Sequence, residues 1–314
     1  MNRCRTGIIL GSELLSYSFP GTHPMRSSRV EPFLKAAEDF ARQRGLKIYR
    51  PKQASEKDIL FFHEKSYVER VKLASETGIG YLDYGDTPAF IGIYEASAIP
   101  VGSTLTLLNA LNKGEIEHGF NPLGGLHHAM PSSASGFCVF NDAAIAIKTA
   151  HEKMGCKNVL YIDIDAHHGD GVYYPFEGEE WLYIADIHED GRYLFPGTGF
   201  RDEKGKGEAI GTKLNIPLPP GSGDREFMHA FDEALEFCRK SRADIIFLQA
   251  GADGLKGDPL THLQYSEEVH RYAGKKVHQL AHEMCEGRLL AMGGGGYDPE
   301  NIKKAWLALL SEIS

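Results

Sequence analysis

The sequence has no CxxC pair, no run of lysines and arginines, and no apolar stretch approaching the length of a membrane span. Its five cysteines (Cys4, Cys138, Cys156, Cys238 and Cys285) are odd in number and widely spaced. That excludes a disulfide scaffold and fits free thiols in a reducing compartment. Near the start, the apolar run 8–10 is too short for a signal-peptide core. A cytoplasmic location is therefore expected, with no membrane partner. The formal net charge is −9 and no basic cluster stands out, so direct nucleic-acid binding is not expected. No linker, repeat or low-complexity tract interrupts the chain. What is present is an ordinary globular composition, 42% hydrophobic and 25% charged over 314 residues. One enzyme domain covering residues 1–314 is expected.

Apolar runs and helical periodicities alternate along the chain. Strands are predicted over 7–10, 46–49, 159–162, 181–187, 214–217, 244–249 and 288–292. Helices are predicted over 30–41 (stopped by Gly45), 56–75 and 92–112, and from Asn141 or Asp142 towards Gly155. Three more follow near 227–238, 269–284 and 302–313. Residues 118–136 are weakly periodic and read as irregular, as does most of 189–224. The alternation implies an α/β fold with a mainly parallel sheet, whose ligand site lies at the carboxyl ends of the strands. Asp165, His167, His188, Asp253 and Tyr297 all fall just past predicted strand ends.

The most informative stretch is 158–171. Residues 159–162 read as a strand buried on both faces, yet Asp163, Asp165, His167, His168 and Asp170 follow within eight residues. Ionised carboxylates are costly to desolvate unless a cation or a hydrogen-bond donor receives them. Asp165 and His167 are two apart, so in extended chain they point the same way and reach one point beyond the strand. A carboxylate and an imidazole converging there make part of a metal site with open positions. Gly169 and Gly171 are read as freeing the backbone to turn sharply. An ordinary polar loop is the alternative, and so many titratable groups packed together argue against it. Asp253 is the best third ligand, because it sits just past another buried strand between Gly251 and Gly254; alone it would read as a capping carboxylate. Two aspartates and one histidine resemble catalytic rather than structural zinc, and the oxygen-rich set also suits Fe(II) or Mn(II).

His127 and His128 are adjacent, which in a loop commonly means two surface residues. Here they follow Gly124-Gly125 and precede an Ala-Ser-Gly-Phe-Cys segment with little reason to be exposed. Asp163 and Asp170 remain to orient one imidazole each. Two histidine–aspartate dyads beside a metal-activated water are what amide hydrolysis requires: one proton leaves the water and one reaches the leaving amine. The four glycines at 293–296 lack GxGxxG spacing, and no P-loop lysine follows them. They read instead as bringing the chain close to the site, with the Tyr297 hydroxyl aimed at a developing oxyanion. A packed aromatic at a helix start is the alternative for Tyr297.

Together these motifs resemble the histone deacetylase family of the arginase/deacetylase superfamily, closest to its class I and acetoin-utilisation branches. The matches run along nearly the whole chain: His23-Pro24-Met25-Arg26 with Arg29, Ile48-Tyr49-Arg50-Pro51, 124–129, 134–142, 160–172, 192–199, 249–259 and 293–297. The resemblance implies the arginase/deacetylase fold, a central parallel sheet of about eight strands flanked by helices. It implies Asp165, His167 and Asp253 as zinc ligands. His128 would be general base and acid with Asp170 behind it, His127 an electrostatic helper backed by Asp163, and Tyr297 the group polarising the acetyl carbonyl. Gly136, Phe137 and Phe195 match the walls of a channel gripping the acetyl-lysine stem. Leu260 matches a rim residue, Asp86 a rim acid that bonds the substrate backbone, and Arg29 an arginine in a cavity behind the metal. Potassium held by backbone carbonyls around 163–167, near His188, is also implied.

The activity so implied is metal-dependent hydrolysis of Nε-acetyl-lysine in proteins to lysine and acetate. Tyr297 is not histidine, which separates the chain from the weakly active class IIa pattern. Leu260 stands where acetylpolyamine enzymes carry glutamate, favouring acetyl-lysine. Pro259 and Glu300 stand where class I enzymes carry inositol-phosphate-binding arginines, and Arg26 alone supplies a base. A corepressor partner is therefore not expected. The acetoin-utilisation branch implies a metabolic substrate such as acetyl-CoA synthetase, and the other branch a chromatin protein. The alternatives are an acetylpolyamine deacetylase, an arginase-like ureohydrolase with two manganese ions, and a non-catalytic acetyl-lysine-binding protein.

Overall fold

In the computed structural model, which describes residues 4–314, eight short strands carry the fold. They are β1 (Thr6–Ile9), β2 (Lys47–Tyr49), β3 (His118–Asn121), β4 (Val159–Asp163), β5 (Leu182–Glu189), β6 (Lys213–Leu218), β7 (Ile245–Gln249) and β8 (Leu289–Met292). The helices of the first half are α1 (Glu31–Arg44), α2 (Glu56–Ile59), α3 (Lys65–Thr77), α4 (Ile93–Asn112) and α5 (Asp142–Met154). Those of the second half are α6 (Asp170–Tyr173), α7 (Asp224–Cys238), α8 (Glu268–Cys285) and α9 (Pro299–Ile313). The strands form one sheet in the order β2-β1-β3-β8-β7-β4-β5-β6, and every neighbouring pair is parallel.

Parallel strands need crossover connections, and these cover both faces of the sheet, so the strands must be apolar on both sides. Leu160, Ile162, Ile246, Leu248, Leu289 and Ala291 pack into one core, with Phe33 of α1, Phe231 of α7, Val277 of α8 and Trp306 of α9. The alternate residues Val159, Tyr161, Phe247, Leu290 and Met292 pack into the other, with Tyr67 of α3, Leu107 and Leu108 of α4, and Ile145 of α5. Asn141 caps α5, its side-chain oxygen accepting the Ala144 N–H at 2.8 Å. The register then sets the height of the loops. Asn121, Met292, Gln249, Asp163 and Asp186 lie side by side across β3, β8, β7, β4 and β5. The chain therefore leaves β3, β8, β7 and β4 at one level, while β5 runs on to Glu189.

The sheet is wholly rather than mainly parallel, and β3 lies inside the stretch read as irregular. Its sequence, His-Gly-Phe-Asn, has no alternation; pairing with β1 and β8 imposes the strand. The helical stretch 56–75 divides into α2 and α3. A capping box between Ser55 and Asp58 closes the first turn of α2, and the Glu64 N–H bonds to the Pro131 carbonyl at 2.8 Å, redirecting the chain before α3. No helix among the described residues is long and apolar enough to cross a membrane.

His63 links α2 to the loop ahead of α5. Its Nε2 accepts the Asn141 N–H at 2.9 Å, so the buried ring must be neutral there. Burial pushes its pKa from 6.5 down to about 4. Between those values the unfolded chain takes up a proton that the folded chain refuses. The stabilisation is therefore present at neutral pH and lost as the pH falls from about 6.5 towards 4. The gap in urea midpoint between the wild type and His63→Gln should narrow from about pH 7 to pH 5; a widening gap would contradict this account.

Candidate metal centre and active site

Four adjacent strands each deliver one part of the site. Asp165 and His167 follow β4, Asp253 follows β7, Tyr297 follows β8, and His127 and His128 follow β3. Asp165, His167 and Asp253 are buried, and their ligand atoms lie within 4.8 Å of one another. His167 Nδ1 is 3.1 Å from Asp165 Oδ1 and 3.1 Å from Asp253 Oδ2. Ligands about 2.0 Å from a tetrahedral zinc would stand roughly 3.3 Å apart, so the spacing fits. Each carboxylate also spends its second oxygen on fixed donors. Asp165 Oδ2 accepts from Gln249 Nε2 at 2.7 Å and from the Gly295 N–H at 2.8 Å, while Asp253 Oδ1 accepts the Ala166 N–H at 2.9 Å. Burial opposes charge on His167, yet the two carboxylates push its pKa up to about 10. The cluster draws positive charge to one point, and its donor chemistry suits a divalent ion.

The glycines around this cluster supply room. A Cβ on Gly251 would collide with the Asp165 carboxylate, and one on Gly295 with Asp253. The same holds for Gly169 and Gly171: the chain does turn sharply at Gly169, where the Asp170 N–H bonds back to the His168 carbonyl at 2.8 Å, but it is room rather than that turn that calls for glycine. Gly169 has an ordinary φ of −76°. A Cβ on it would stand 2.6 Å from Asp163 Oδ2, and one on Gly171 would stand 2.6 Å from the His127 and Ala129 carbonyl oxygens.

The two dyads sit beside the cluster. His127 Nδ1 is 2.7 Å from Asp163 Oδ2, His128 Nδ1 is 2.6 Å from Asp170 Oδ1, and the two Nε2 atoms are 3.1 Å apart. Both rings are buried, which opposes charge on either. At His127 the Asp163 and Asp165 carboxylates prevail and raise the pKa to about 10. At His128 burial is reinforced by the charge on His127, and the value falls to about 4. The pair thus holds its charge on His127 and leaves His128 neutral, its Nδ1–H on Asp170 and its Nε2 lone pair facing the His127 Nε2–H across 3.1 Å.

Tyr297 is positioned through its backbone. Its N–H donates to Asp258 Oδ2 at 2.8 Å, and the other oxygen of Asp258 accepts the Leu260 N–H at 3.0 Å. The glycine loop before it is tied down by buried Arg29, which donates to the Gly294 and Gly296 carbonyls at 3.2 and 2.9 Å. Arg29 is thus occupied with backbone in addition to lying behind the site. Burial first, then the Asp253 and Asp165 charges, hold the Tyr297 phenol well above its usual pKa, so it stays a donor.

Above the cluster a cavity of about 190 Å³ narrows between Gly136, Phe137, Phe195, Leu194 and Leu260, with Asp86 exposed at its mouth and His128, His167 and Tyr297 at its floor. Phe195 meets His128 edge-on, ring centroids 5.1 Å apart. Phe137 holds a left-handed φ of 67°, costly for a bulky residue. Tyr17 Oη, donating to its carbonyl, and Thr87 Oγ1, accepting its N–H at 3.2 Å, keep it there. His188 is buried and bonded to Asp186 at 2.6 Å and to the Gly199 carbonyl at 2.9 Å.

The candidate ligands, the dyad residues, Tyr297 and the channel-lining residues therefore meet in one place, whereas His188 lies within β5 and not past its end; several residues that sequence reasoning passed over hold the site together. Gln249 braces Asp165, Asp258 braces Tyr297 and Leu260, and Leu194 completes the channel wall. Asp142, read as a helix cap, instead accepts the Gly125 and Leu126 N–H groups at 3.1 and 2.9 Å, fixing the turn into His127. For Gln249 and Asp142 the signal was a polar residue in a stretch otherwise buried; Asp258, between exposed Gly257 and Pro259, and apolar Leu194 carried no such mark. Gln249→Ala should weaken zinc binding at this cluster by about 10–100-fold in a chelator-competition titration, the scale of a lost outer contact. Unchanged affinity would remove Gln249 from the site.

Comparison with known proteins agrees with this geometry. The histone deacetylase domain matches residues 23–313. The acetoin utilization protein AcuC of Bacillus subtilis (strain 168) is 40% identical over 310 residues, covering 95% of this chain and 79% of that protein. AcuC of Staphylococcus xylosus is 33% identical over 320 residues, covering 98% of this chain and 83% of that one. Among solved structures, the HD domain of HDA15 superposes with a TM-score of 0.89 at 25% identity, over 98% of this chain and 88% of the other. With the sheet order, the buried ligand cluster and the paired dyads already in hand, these matches mean that the chain belongs to the histone deacetylase family of hydrolases.

Proposed function

We propose that this protein is a zinc-dependent lysine deacetylase that hydrolyses Nε-acetyl-lysine in proteins to lysine and acetate. The observation carrying this reading is the meeting of two buried histidine–aspartate dyads, Nε2 atoms 3.1 Å apart, with the carboxylate–imidazole cluster at the foot of a narrow apolar channel. Phe137, Phe195, Leu194 and Leu260 suit the methylene stem of a lysine, whose apolar length gains from burial while its amide reaches the floor. Asp165, His167 and Asp253 would hold a divalent ion, which would supply Lewis acidity to the acetyl carbonyl and to a water.

The chain's own groups do the rest. His128 Nε2 takes the proton of the attacking water, because its Nδ1–H is already committed to Asp170. The charge kept on His127 stabilises the negative charge that develops next to it. The Tyr297 hydroxyl donates to the carbonyl oxygen as it becomes an oxyanion. As the C–N bond breaks, His128 returns its proton to the lysine nitrogen, and acetate and a free amine leave. Asp86, exposed at the mouth, is set to accept N–H groups of a substrate backbone. A structural potassium ion held by backbone carbonyls around 163–167, beside His188, belongs to the same proposal. So do a cytoplasmic setting, in keeping with five free cysteines, and the absence of an inositol-phosphate corepressor.

Substrate class rests on the rim, where Leu260 places no carboxylate to meet a polyamine's cationic chain. In competition, the wild type should prefer an acetyl-lysine peptide to acetylspermidine by kcat/KM. Tyr297→Phe should keep its metal and lose about 10²–10³-fold in turnover on the peptide, the scale of one oxyanion donor. Preference for acetylspermidine would overturn the substrate assignment, and full turnover in Tyr297→Phe the role of the phenol.

A further inference from the structure

A second group of ligating side chains lies at the opposite end of the sheet, against the starts of the strands. Cys4 stands two residues ahead of β1, His118 opens β3, and His278 and His282 lie on α8. Four residues apart, the two helical imidazoles share a face. Cys4 Sγ is 3.1 Å from His282 Nε2, His118 Nε2 is 2.9 Å from His278 Nδ1, and the four ligand atoms all lie within 4.8 Å of one another. His118 is fully buried, and its Nδ1 sits 2.8 Å from the Gly287 carbonyl. That nitrogen must donate its hydrogen, which leaves Nε2 as a lone pair facing the other three groups. A backbone carbonyl fixing an imidazole's tautomer in this way is how metal-binding histidines are held. Gly287 also leaves room for the His282 ring, since a Cβ there would stand 2.8 Å from its Cε1.

Three imidazoles so close, with ring centroids 4.7 to 5.3 Å apart, repel one another if protonated. Burial and this mutual repulsion push His118 down to about 4 and lower His278 as well, so their lone pairs are available at neutral pH. Partial burial first, and then the Glu117 carboxylate, raise the pKa of the Cys4 thiol, a cost that a cation in the cluster offsets. One thiol and three imidazoles are a borderline-soft set with four protein ligands and no open position, the pattern of structural zinc.

We propose that Cys4, His118, His278 and His282 bind a structural zinc ion that clasps the segment ahead of β1 and the start of β3 to the C-terminal half of α8. Binding releases the Cys4 thiol proton to solvent and joins segments far apart in sequence, so the affinity of the site adds to the stability of the fold. The full length of the strands separates this clasp from Asp165, His167 and Asp253, and its ligands take no part in the reaction.

Cobalt(II) distinguishes the two sites, because the catalytic cluster contains no sulfur. Chelator-stripped protein reloaded with Co²⁺ should bind two ions per chain and show a near-ultraviolet thiolate-to-cobalt charge-transfer band. Cys4→Ser should abolish that band, and His282→Ala should reduce the bound metal to one ion per chain. Both variants should keep wild-type hydrolysis of an acetyl-lysine peptide and show a smaller rise in Tm than the wild type when zinc is added. Fewer than two ions in the wild type, no thiolate band, or a band that survives Cys4→Ser would overturn the proposal. None of these results alters Asp165, His167 or Asp253, so the catalytic reading stands or falls separately.

Discussion

The structure is governed by the cost of burying negative charge at one edge of a sheet. Asp142, Asp163, Asp165, Asp170, Asp186, Asp253 and Asp258 are all buried near the carboxyl ends of the strands, where water solvates them little. A buried carboxylate without partners is among the costliest groups a fold can hold. Each of these therefore commands donors, and those donors fix the loops. Asp163 takes His127, the Tyr161 hydroxyl at 2.7 Å and the Asp165 N–H at 3.1 Å. Asp186 takes His188 and the Gly169 N–H at 2.9 Å. Asp165 and Asp253 share one imidazole between them and, with it, form the point to which a divalent cation is drawn. Catalytic geometry is in this sense a by-product of satisfying acids that the sheet carries out of solvent.

The same constraint explains why the glycines matter. Loops that supply backbone N–H groups to carboxylates must come within van der Waals reach of them, and a Cβ at Gly169, Gly251 or Gly295 would stand in that space. The strained Phe137 has a related origin. Its ring must form a channel wall beside Tyr297, centroids 5.8 Å apart, while its carbonyl is held by Tyr17. A tertiary bond thus maintains a backbone conformation that the local sequence disfavours.

Much of this was legible in the sequence because the chemistry violates the surrounding pattern. Acids and histidines at the end of an apolar strand, as in 159–170, have no structural excuse, and alternation of strands and helices announces a parallel sheet. The structure hid its parts where chemistry and periodicity were both silent. β3 is four residues containing a histidine and a glycine, and only its neighbours make it a strand. Gln249 is a neutral amide whose role depends on lying beside Asp163 across two strands, a register no single chain segment records. Gly136, Phe137, Phe195 and Leu260 come from separate loops, so their place on one channel followed from family resemblance and not from spacing. Cys4, read as one more free thiol, gains meaning only when His278 and His282 of α8, 274 and 278 residues later, fold against it.

The two ends of the sheet thus divide their labour: the carboxyl edge gathers acids around a reactive point, and the amino edge gathers neutral ligands around a proposed clasp. The account turns on the Asp165–His167–Asp253 cluster operating as a metal centre for amide hydrolysis. The most direct measurement is acetate release from an acetyl-lysine peptide by chelator-stripped protein, before and after zinc is returned. The account predicts silence without metal and recovery with it. Undiminished release by the stripped protein, or none from the reloaded one, would contradict it.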